Sequence, residues 1–257
     1  MKISVITATY NSEKTLRGTF ESVLHQMYHN IEYIIIDGCS NDNTLNIIRE
    51  YEPKFNGRMH WISEPDNGIY DAMNKGIRLA TGDIVGFLNS DDQYKDNNAL
   101  TTITNAFEQE QVDCVYGNLE FVDADDTAKV FRTWIGSQYT PGAFLKGWHP
   151  AHPTFYARRT CFEQYGDFDL SFEISADFEL MLRFIEKNGC SNYYINRCFV
   201  KMRQGGASTS SIKNIIKGNK NILRAFRKNG YHISCLYPVK RLIPKLINII
   251  TTQIKLE

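Results

Sequence analysis

The sequence has no long apolar run, and this absence excludes one large class of proteins. No stretch approaches the ~20 consecutive apolar residues that a membrane-spanning helix needs. The six cysteines form no C-x-x-C pair and no cysteine–histidine set with zinc-binding spacing. Free thiols in a reducing compartment are therefore the simplest expectation. Because the sequence begins with a strand-like segment and not with a charged and apolar leader, we also expect no secretory signal and a cytoplasmic protein.

Net charge is absent as well, because 29 basic and 29 acidic residues cancel. The two signs are unevenly placed. Residues 212–257 hold ten basic residues and one acidic residue, so this tail carries +9 and residues 1–211 carry −9. A basic tail of this kind predicts a surface-binding segment. No aromatic stacking platform or recognition helix accompanies the charge, so we expect no nucleic-acid partner.

Short apolar runs alternate with helical periodicity in the first half of the chain. The strand-like runs are residues 3–8, 33–36, 60–63 and 84–88. The amphipathic segments are residues 14–27, 45–51, 69–80 and 100–107. Strand–helix alternation with short connections predicts a parallel sheet with right-handed crossovers.

The second half of the sequence predicts a mixed sheet and a helical appendage. We expect strands at residues 112–116, 154–157, 193–195 and 199–202, a hairpin from 119–122 and 129–133, a long loop at 134–152 and a helix at 177–187. Basic amphipathic helices follow at 212–229 and 239–255, the second kinked at Pro244. The predicted α/β domain covers residues 1–211, in two halves at 1–110 and 111–211, and the helical tail covers 212–257.

Acidic residues recur where the predicted strands end. They are Asp37, Asp66, Asp83 and the N-S-D-D segment at residues 89–92. Ligands of open α/β sheets bind outside the carboxyl ends of strands, and adjacent carboxylates repel each other unless a cation or a proton neutralises them. Asp91 and Asp92 are thus candidate ligands for Mg²⁺ or Mn²⁺ held jointly with substrate phosphates. A plain helix cap or Asx turn is the alternative.

The order of several motifs along the chain is more specific than any one of them. I-T-A-T-Y-N at residues 6–11, D-G-C-S-N-D-N-T at 37–44, S-E-P-D-N-G-I-Y-D-A-M-N-K-G at 63–76, T-G-D at 81–83 and N-S-D-D at 89–92 follow one another. Over about residues 1–210 the chain closely resembles the bacterial family-2 inverting glycosyltransferases of surface-polysaccharide type. The resemblance implies the GT-A fold, a mixed and mostly parallel sheet flanked by helices, here with a C-terminal helical appendage.

The resemblance also implies that residues 1–211 are a catalytic domain, with a nucleotide-binding half (1–110) and an acceptor half (111–211), and that it contains a nucleotide-sugar site. The positions that match it are Thr7, Thr9, Asn11, Asp37, Asp66, Asn67, Lys75, Asn89, Ser90, Asp91, His152 and Arg203. The carboxylate of Asp37, at the end of the second strand, can accept hydrogen bonds from uracil N3–H or from ribose hydroxyls. Ser40 and Asp42 are interpreted as turn and cap residues. Alternatives stay open for three positions: Lys75 as a solvated surface lysine, His152 as a structural histidine, and Arg203, beside the glycine-rich segment 204–208, as part of an interdomain turn.

Two further roles follow from the resemblance. Asp91 and Asp92 match the family's D-x-D metal motif in its N-S-D-D branch, in which Asn89 takes the first position, and either aspartate is a candidate for the direct ligand. Inverting transfer also needs a base that accepts the proton of the acceptor hydroxyl. Asp177, in S-A-D-F-E at residues 175–179, matches that position. Glu179 is the second candidate, and a charge that complements the helix dipole is the alternative for Asp177.

The function implied is a metal-dependent transferase that moves a hexose from a UDP-sugar to an acceptor hydroxyl. The expected acceptor is a lipid-diphosphate-linked saccharide of O-antigen or capsule synthesis. The apolar stripes and basic flanks of the tail predict peripheral binding to the anionic inner face of the cell membrane, with packing on the catalytic domain as the alternative. A sugar nucleotidyltransferase needs a glycine-rich cationic loop, which residues 9–12 lack, and a non-catalytic nucleotide-sugar-binding protein needs no base at Asp177.

Overall fold

In the computed structural model, which describes residues 1–205 and 211–240, the alternating pattern folds into one mixed sheet. The strands of this described part are β1 (Ile3–Thr9), β2 (Ile31–Asp37), β3 (Met59–Ser63), β4 (Ile84–Phe87), β5 (Gln93–Tyr94), β6 (Cys114–Val122), β7 (Val130–Trp134), β8 (Tyr156–Arg158) and β9 (Asn192–Arg203). Their order is β3-β2-β1-β4-β8-β6-β9-β5, and β7 pairs with β6 outside this path.

Helices cover both faces of the sheet. They are α1 (Leu16–Leu24), α2 (Thr44–Tyr51), α3 (Ile69–Leu79), α4 (Ala99–Glu110), α5 (Arg159–Tyr165), α6 (Ala176–Met181), continued by a π-helix (Leu182–Lys187), α7 (Ile212–Lys228) and α8 (Tyr237–Lys240). Short 3₁₀ turns occur at Glu52–Phe55, Phe144–Lys146 and His152–Thr154. Because successive strand residues point to opposite faces, Val5 of β1 packs with α1, α2 and α4, whereas Ile6 packs with α3, α5, α6 and α7.

Parallel pairing fixes where the strand ends lie. β1 runs parallel to β2 and β4, and β2 runs parallel to β3, so the carboxyl ends of these four strands form one edge. Beyond β4 the sheet is mixed, since β8 is antiparallel to both β4 and β6 while β6 and β9 are parallel. The predicted mixed, mostly parallel sheet is confirmed.

The second half differs from the prediction in detail. β6 is continuous where two segments were expected, and β9 is one strand where two were expected, with register irregularities beside Gly117. A Cβ at Gly117 would lie 2.3 Å from the Phe199 ring, which explains the glycine at this crowded irregularity. The short strand β5 and helix α5 were not predicted, and the helix expected at 177–187 changes to π geometry at Leu182.

The first tail helix is part of the core. Ile222, Ala225 and Phe226 of α7 are buried, and the Phe226 ring packs on Phe178 of α6 and on Tyr237 of α8. Packing on the catalytic domain, the alternative interpretation of this helix, is therefore what the structure shows. The helix predicted at 239–255 and its kink at Pro244 lie outside the described residues, apart from the start of that range in α8. No helix in the described part of the chain is both long and apolar enough to cross a membrane.

A buried carboxylate stabilises the opposite end of the sheet, where β1, β2 and β4 begin. Glu32 of β2 accepts hydrogen bonds from Ser4 Oγ (2.6 Å), Thr81 N (2.8 Å), Thr81 Oγ1 (2.7 Å) and Lys2 Nζ (3.0 Å). Burial alone would raise the pKa of this carboxyl, but the hydrogen bonds outweigh burial and hold the pKa at about 2. The ionised form of Glu32 therefore stabilises the junction of β1, β2 and the turn before β4.

We expect Glu32→Gln to lower the free energy of unfolding at pH 7 by on the order of 2 kcal/mol. Because folding depresses this pKa from 4.5 to about 2, the contribution is fully present above about pH 4.5 and is lost as the pH falls toward 2. Urea unfolding of both proteins at several pH values measures it. Glu110→Gln, on the exposed end of α4, is the matched control. A stability difference that does not shrink between pH 5 and about pH 2.5 would contradict this account.

Candidate active site

Asp37 organises the carboxyl ends of β1, β2 and β3. Thr9, Asp37 and Ser63 lie side by side in register. The buried Asp37 carboxylate accepts from Ser40 Oγ (2.5 Å), Ser40 N (3.1 Å) and Ser63 Oγ (2.6 Å). Ser40 is thus a turn residue, as expected, and Asp42 accepts from Thr44 N (2.9 Å) at the start of α2, as a cap does. Asp37 therefore shapes the turn at this end of the sheet. A ligand that contacts Asp37 would bind a carboxylate that already accepts three hydrogen bonds from the protein.

The two threonines of β1 have different environments. Thr7 is fully buried, donates to the carbonyl of Leu88 (2.6 Å) and bonds the hydroxyl of Tyr33 (3.1 Å). This placement corrects the expected nucleotide contact of Thr7, because its hydroxyl joins β1 to the end of β4. The Thr9 hydroxyl is buried at the strand end without a partner among the described residues. Asn11 adopts a left-handed conformation (φ 50°) and accepts from Asn41 N (3.0 Å), which ties the first loop to the second.

The loop at residues 64–68 lies over the turn after β2. The Asp66 carboxylate accepts from Gly68 N (2.8 Å), and a Cβ at Gly38 would come within 2.4 Å of Asp66 Oδ2. Only glycine at 38 permits this approach. Asn67 is exposed, and its amide N–H donates to Asp71 (2.9 Å). Lys75 differs from the expectation of an approach to a diphosphate, because its ammonium donates to the carbonyl of Pro65 (2.6 Å) and pairs with Glu64 (2.9 Å).

An acidic pair, the partly exposed Asp91 and the buried Asp92, follows β4 directly. Asp92 is almost fully buried and accepts from Asn89 Nδ2 (2.9 Å) and Arg203 N (3.3 Å). Burial raises the pKa of Asp91, and burial together with the Asp91 charge raises the pKa of Asp92. Within residues 1–205 and 211–240, no other residue donates a hydrogen bond to the Asp91 carboxylate. The protein groups around the pair therefore leave its negative charge only partly compensated.

The donor set of this turn fits a hard divalent cation. The partly exposed Asp91 carboxylate and the buried Asn89 Oδ1, which has no partner in the described part of the chain, are both oxygen donors. Both oxygens of Asp92 already accept hydrogen bonds from the protein. Ser90 fixes the turn to the first loop, since its hydroxyl bonds Ser12 Oγ (2.9 Å). Asp91 is thus the better placed direct ligand, and Asp92 supports the turn.

Arg203 connects the end of β9 to the acidic pair. Its amide N–H donates to Asp92, and its guanidinium donates to the carbonyl of Ala124 in the β6–β7 hairpin. The Arg203 Nε–H is buried and has no partner among the described residues. A cation beside two carboxylates, with one N–H uncommitted, has the chemistry to contact a phosphate. The glycine-rich segment after it lies outside the described residues from position 206.

A second acidic centre forms at the start of α6. Asp177 accepts from the Tyr70 hydroxyl (2.9 Å), and its other oxygen lies 3.9 Å from His152 Nδ1. Burial, and then the Asp177 charge, raise the pKa of Tyr70, so the phenol stays protonated and donates. Burial lowers the pKa of His152, and the charge of Asp177 opposes this. The carboxylate is about a quarter exposed, so a hydroxyl of a ligand has access to it.

Tyr70 was not among the predicted site residues, although it lies inside the motif at residues 63–76. It follows the 64–68 loop at the start of α3, and its ring packs on Phe168 at 5.3 Å. Asn74 fixes Phe168 by bonding both its amide N–H (2.9 Å) and its carbonyl (2.8 Å). Tyr70 thus links the loop over β2 to Asp177, and the two centres lie at one end of the sheet.

Glu179 points away from this site. It is buried and forms an ion pair with Arg183 (3.0 Å), and it accepts from Asn229 Nδ2 (3.0 Å) after α7. Arg183 also donates to the carbonyls of Gly166 (2.8 Å) and Asp167 (2.7 Å). The structure therefore corrects the second candidate for the base: Glu179 joins α6 to α7 and is not available to a substrate.

Comparisons with known proteins agree with this architecture. The model of glycosyl transferase family 2 matches residues 4–172. A PGL/p-HBAD biosynthesis glycosyltransferase of Mycobacterium tuberculosis is 28% identical over 211 residues, which cover 81% of this chain and 79% of the relative. An uncharacterized glycosyltransferase of the same organism is 32% identical over 190 residues, covering 70% and 68%.

Solved structures match over almost the whole chain. S. aureus TarS (residues 1–349) in complex with UDP-GlcNAc has a TM-score of 0.65 at 17% identity, covering 93% of this chain and 69% of that one. A mannosyltransferase of Pyrobaculum calidifontis in complex with GDP-Man and Mn²⁺ also has a TM-score of 0.65 at 17% identity, covering 93% and 68%. The fold is therefore GT-A-like, as the resemblance predicted.

Proposed function

Since the chain belongs to glycosyl transferase family 2, we propose that it is an inverting enzyme that transfers a hexose from a UDP-sugar to an acceptor hydroxyl. One observation carries the proposal. At the end of the sheet where the strands β1–β4 finish, the structure holds an acidic pair, the partly exposed Asp91 and the buried Asp92, and a separate, partly exposed carboxylate, Asp177. The first suits a metal–diphosphate unit, and the second suits a base for the attacking hydroxyl.

The donor is proposed to bind at the ends of β1 and β2. The unpartnered Thr9 hydroxyl and the turn shaped by Asp37 would face the base and ribose. Asn11, Asp66 and Asn67 belong to the loops that border this turn. The matched structures contain UDP-GlcNAc in one case and GDP-Man in the other, which supports a nucleotide sugar as the ligand class.

Asp91 would hold Mg²⁺ or Mn²⁺, with Asn89 as a second oxygen donor and Asp92 fixing the turn. When bound, such an ion spreads the negative charge that develops on the leaving diphosphate. Arg203 would support the same charge through its uncommitted Nε–H. The matched Pyrobaculum mannosyltransferase contains Mn²⁺, which supports a divalent ion.

Asp177 would accept the proton of the acceptor hydroxyl as that oxygen attacks the sugar from the side opposite the diphosphate. The Tyr70 bond occupies one carboxylate oxygen, so the other, on the His152 side, is the one that takes the proton. The neutral His152 imidazole, with Nε2 buried and unpartnered in the described residues, would orient a saccharide or phosphate oxygen.

The decisive experiment offers a panel of UDP-hexoses with Mn²⁺ to the full chain, together with lipid-diphosphate-linked saccharides as acceptors. We expect metal-dependent release of UDP and a product whose anomeric configuration is inverted. Retention of configuration would contradict the inverting mechanism. Formation of a nucleotide sugar from a nucleoside triphosphate and a sugar phosphate would instead identify a nucleotidyltransferase.

Replacing Tyr70 by phenylalanine is expected to lower kcat about tenfold or more and to leave the dissociation constant of the donor nearly unchanged. A hydrogen bond to a charged group contributes about 1.5–3 kcal/mol, and this one holds the base in place. Initial rates and donor titrations on both proteins measure the two effects. Tyr193→Phe, on the half-exposed start of β9, is the matched control. Equal loss of donor binding would make Tyr70 part of the donor site.

We also propose that the chain works at the anionic inner face of the membrane, where a lipid-linked acceptor of O-antigen or capsule synthesis would be located. The basic tail and two exposed apolar side chains of α7, Ile215 and Ile216, support this proposal. Because Ile222, Ala225 and Phe226 of α7 are buried in the core, the residues to remove are 241–257 and not the whole tail.

A chain that ends at residue 240 should bind anionic vesicles about a hundredfold more weakly at low salt than the full chain. It lacks Arg241, Lys245 and Lys255, and each basic residue near such a surface contributes on the order of 1 kcal/mol. Co-sedimentation with anionic and neutral vesicles measures the difference. The full chain with these three residues replaced by glutamine is the matched control for charge. Equal partitioning of the long and short chains, or no dependence on anionic lipid, would contradict membrane binding by the tail.

A further inference from the structure

Three cysteines that are far apart in the sequence meet in the core. Cys114 opens β6, Cys161 lies in α5, and Cys190 precedes β9. All three are buried, and their sulfur atoms lie within 4.8 Å of one another. Their spacing along the sequence, which matches no zinc-binding pattern, gave no sign of this proximity. We call these three residues the thiol cluster.

The backbone holds the thiol cluster in place. The Asp113 carboxylate accepts from Ser191 N (2.9 Å) and Ser191 Oγ (2.7 Å), and Cys114 N donates to the carbonyl of Ser191 (2.9 Å). Cys190 N donates to the carbonyl of Phe184 (3.0 Å). These bonds join the start of β6 to the loop before β9 and bring the three side chains together.

The thiol cluster is separate from the candidate active site. It lies where β6 and β9 begin, whereas the nucleotide-sugar site lies where β1–β4 end, and these are opposite edges of the sheet. In the described part of the chain, it is the one group of three histidine, cysteine, aspartate or glutamate donors close enough to surround an ion. Sugar transfer gives it no role.

We propose that the thiol cluster binds one thiophilic d¹⁰ metal ion, Cu⁺ or Zn²⁺, through three thiolates. Soft thiolate ligands select these ions over Mg²⁺ and Mn²⁺, which the oxygen donors of the other site prefer. Zinc–sulfur bonds of about 2.3 Å place three sulfurs roughly 4 Å apart. Rotation of the side chains that moves each sulfur by about 1 Å or less would therefore complete the site. On binding, each thiol releases its proton to solvent and its sulfur joins the ion, with no change of oxidation state.

The number of ligands distinguishes the two ions. Structural zinc sites are almost always four-coordinate. No fourth histidine, cysteine, aspartate or glutamate of the described residues belongs to this group of donors. The carbonyl of Asp113 lies 3.8 Å from Cys161 Sγ and already accepts from Arg158 N (2.8 Å), and the Asp113 carboxylate already accepts from Ser191. Three sulfurs without a fourth donor among the described residues therefore favour Cu⁺. The competing interpretation is that the cysteines are small apolar core residues, which buried free cysteines resemble in packing.

The test uses the full chain, purified and kept reduced, and loads it separately with Cu⁺ and with Zn²⁺. After gel filtration we expect one ion per chain, a higher melting temperature with metal, and three sulfur neighbours in X-ray absorption of the wild-type protein. The variant Cys114→Ser/Cys161→Ser/Cys190→Ser should retain no ion. The matched variant Cys39→Ser/Cys198→Ser/Cys235→Ser removes the three cysteines outside the cluster and should retain one.

A serine variant of the core could fail to fold, so labelling of the wild-type protein provides a second measurement. In urea at a concentration that partly unfolds the metal-free protein, metal should protect the buried Cys114, Cys161 and Cys190 from alkylation and leave Cys39 and Cys235 reactive, and peptide mass spectrometry measures the difference. Loss of the ion on gel filtration, protection of other cysteines, or equal metal content in both triple variants would overturn the proposal. Retention of Zn²⁺ but not Cu⁺ would overturn the three-coordinate assignment.

Discussion

Asp91→Asn is expected to lower the rate of sugar transfer at least about a hundredfold at saturating donor, with the fold intact. The substitution keeps the size of the side chain and removes the charge that a metal–diphosphate unit needs. Because no other described residue donates to the Asp91 carboxylate, the folded protein loses no hydrogen bond to it. The melting temperature should therefore change little, while the affinity for Mn²⁺ falls.

Asp92→Asn should also lose turnover, but for a different reason. Its carboxylate is buried and accepts from Asn89 and from the amide of Arg203, so the change disturbs the turn itself and lowers stability together with activity. Calorimetric titration with Mn²⁺ and thermal unfolding separate the two variants. Asp125→Asn, on the exposed tip of the β6–β7 hairpin, is the matched control. Wild-type rates from both variants under strict metal chelation would show that the acidic pair holds no metal.

The first half of the fold could be predicted because its signals are local. In β1 and β2 every residue is buried and most are apolar, so each strand is visible in the sequence as a short apolar segment, and the intervening helices show clear periodicity. The second half depends on contacts between distant segments. β5 is two residues long, and the two parts of β9 form one strand only because β6 pairs with both. No local pattern contains that information.

The location of the candidate site residues could be predicted from the sequence, but their hydrogen-bond partners could not. Motif order assigned Asp37, Asp91 and Asp177 to one site, and the structure shows Asp37 at the end of β2 and Asp91 directly after β4. It could not show that Thr7 bonds Leu88, or that Glu179 pairs with Arg183, because each partner is fixed by the fold. Tyr70 and the thiol cluster were missed for the same reason, since their significance arises from residues that lie far away along the chain.

Asp177→Asn is expected to bind the UDP-sugar nearly as well as the wild type and to transfer the sugar at least about a hundredfold more slowly. The amide keeps the contact with Tyr70 and the shape of the first turn of α6, but it cannot take a proton from the acceptor hydroxyl. Donor binding by calorimetry and single-turnover transfer rates measure the two quantities on the same protein.

Two neighbouring carboxylates make this prediction specific. Glu173→Gln removes an exposed acid a few residues before α6 and should leave both donor binding and transfer unchanged. Glu179→Gln breaks the buried pair with Arg183, so it should lower the melting temperature more than Asp177→Asn while slowing the chemical step less. Normal transfer by Asp177→Asn would place the base elsewhere. A fall in donor binding as large as the fall in rate would instead make Asp177 a binding residue, since a general base is needed only when the acceptor attacks.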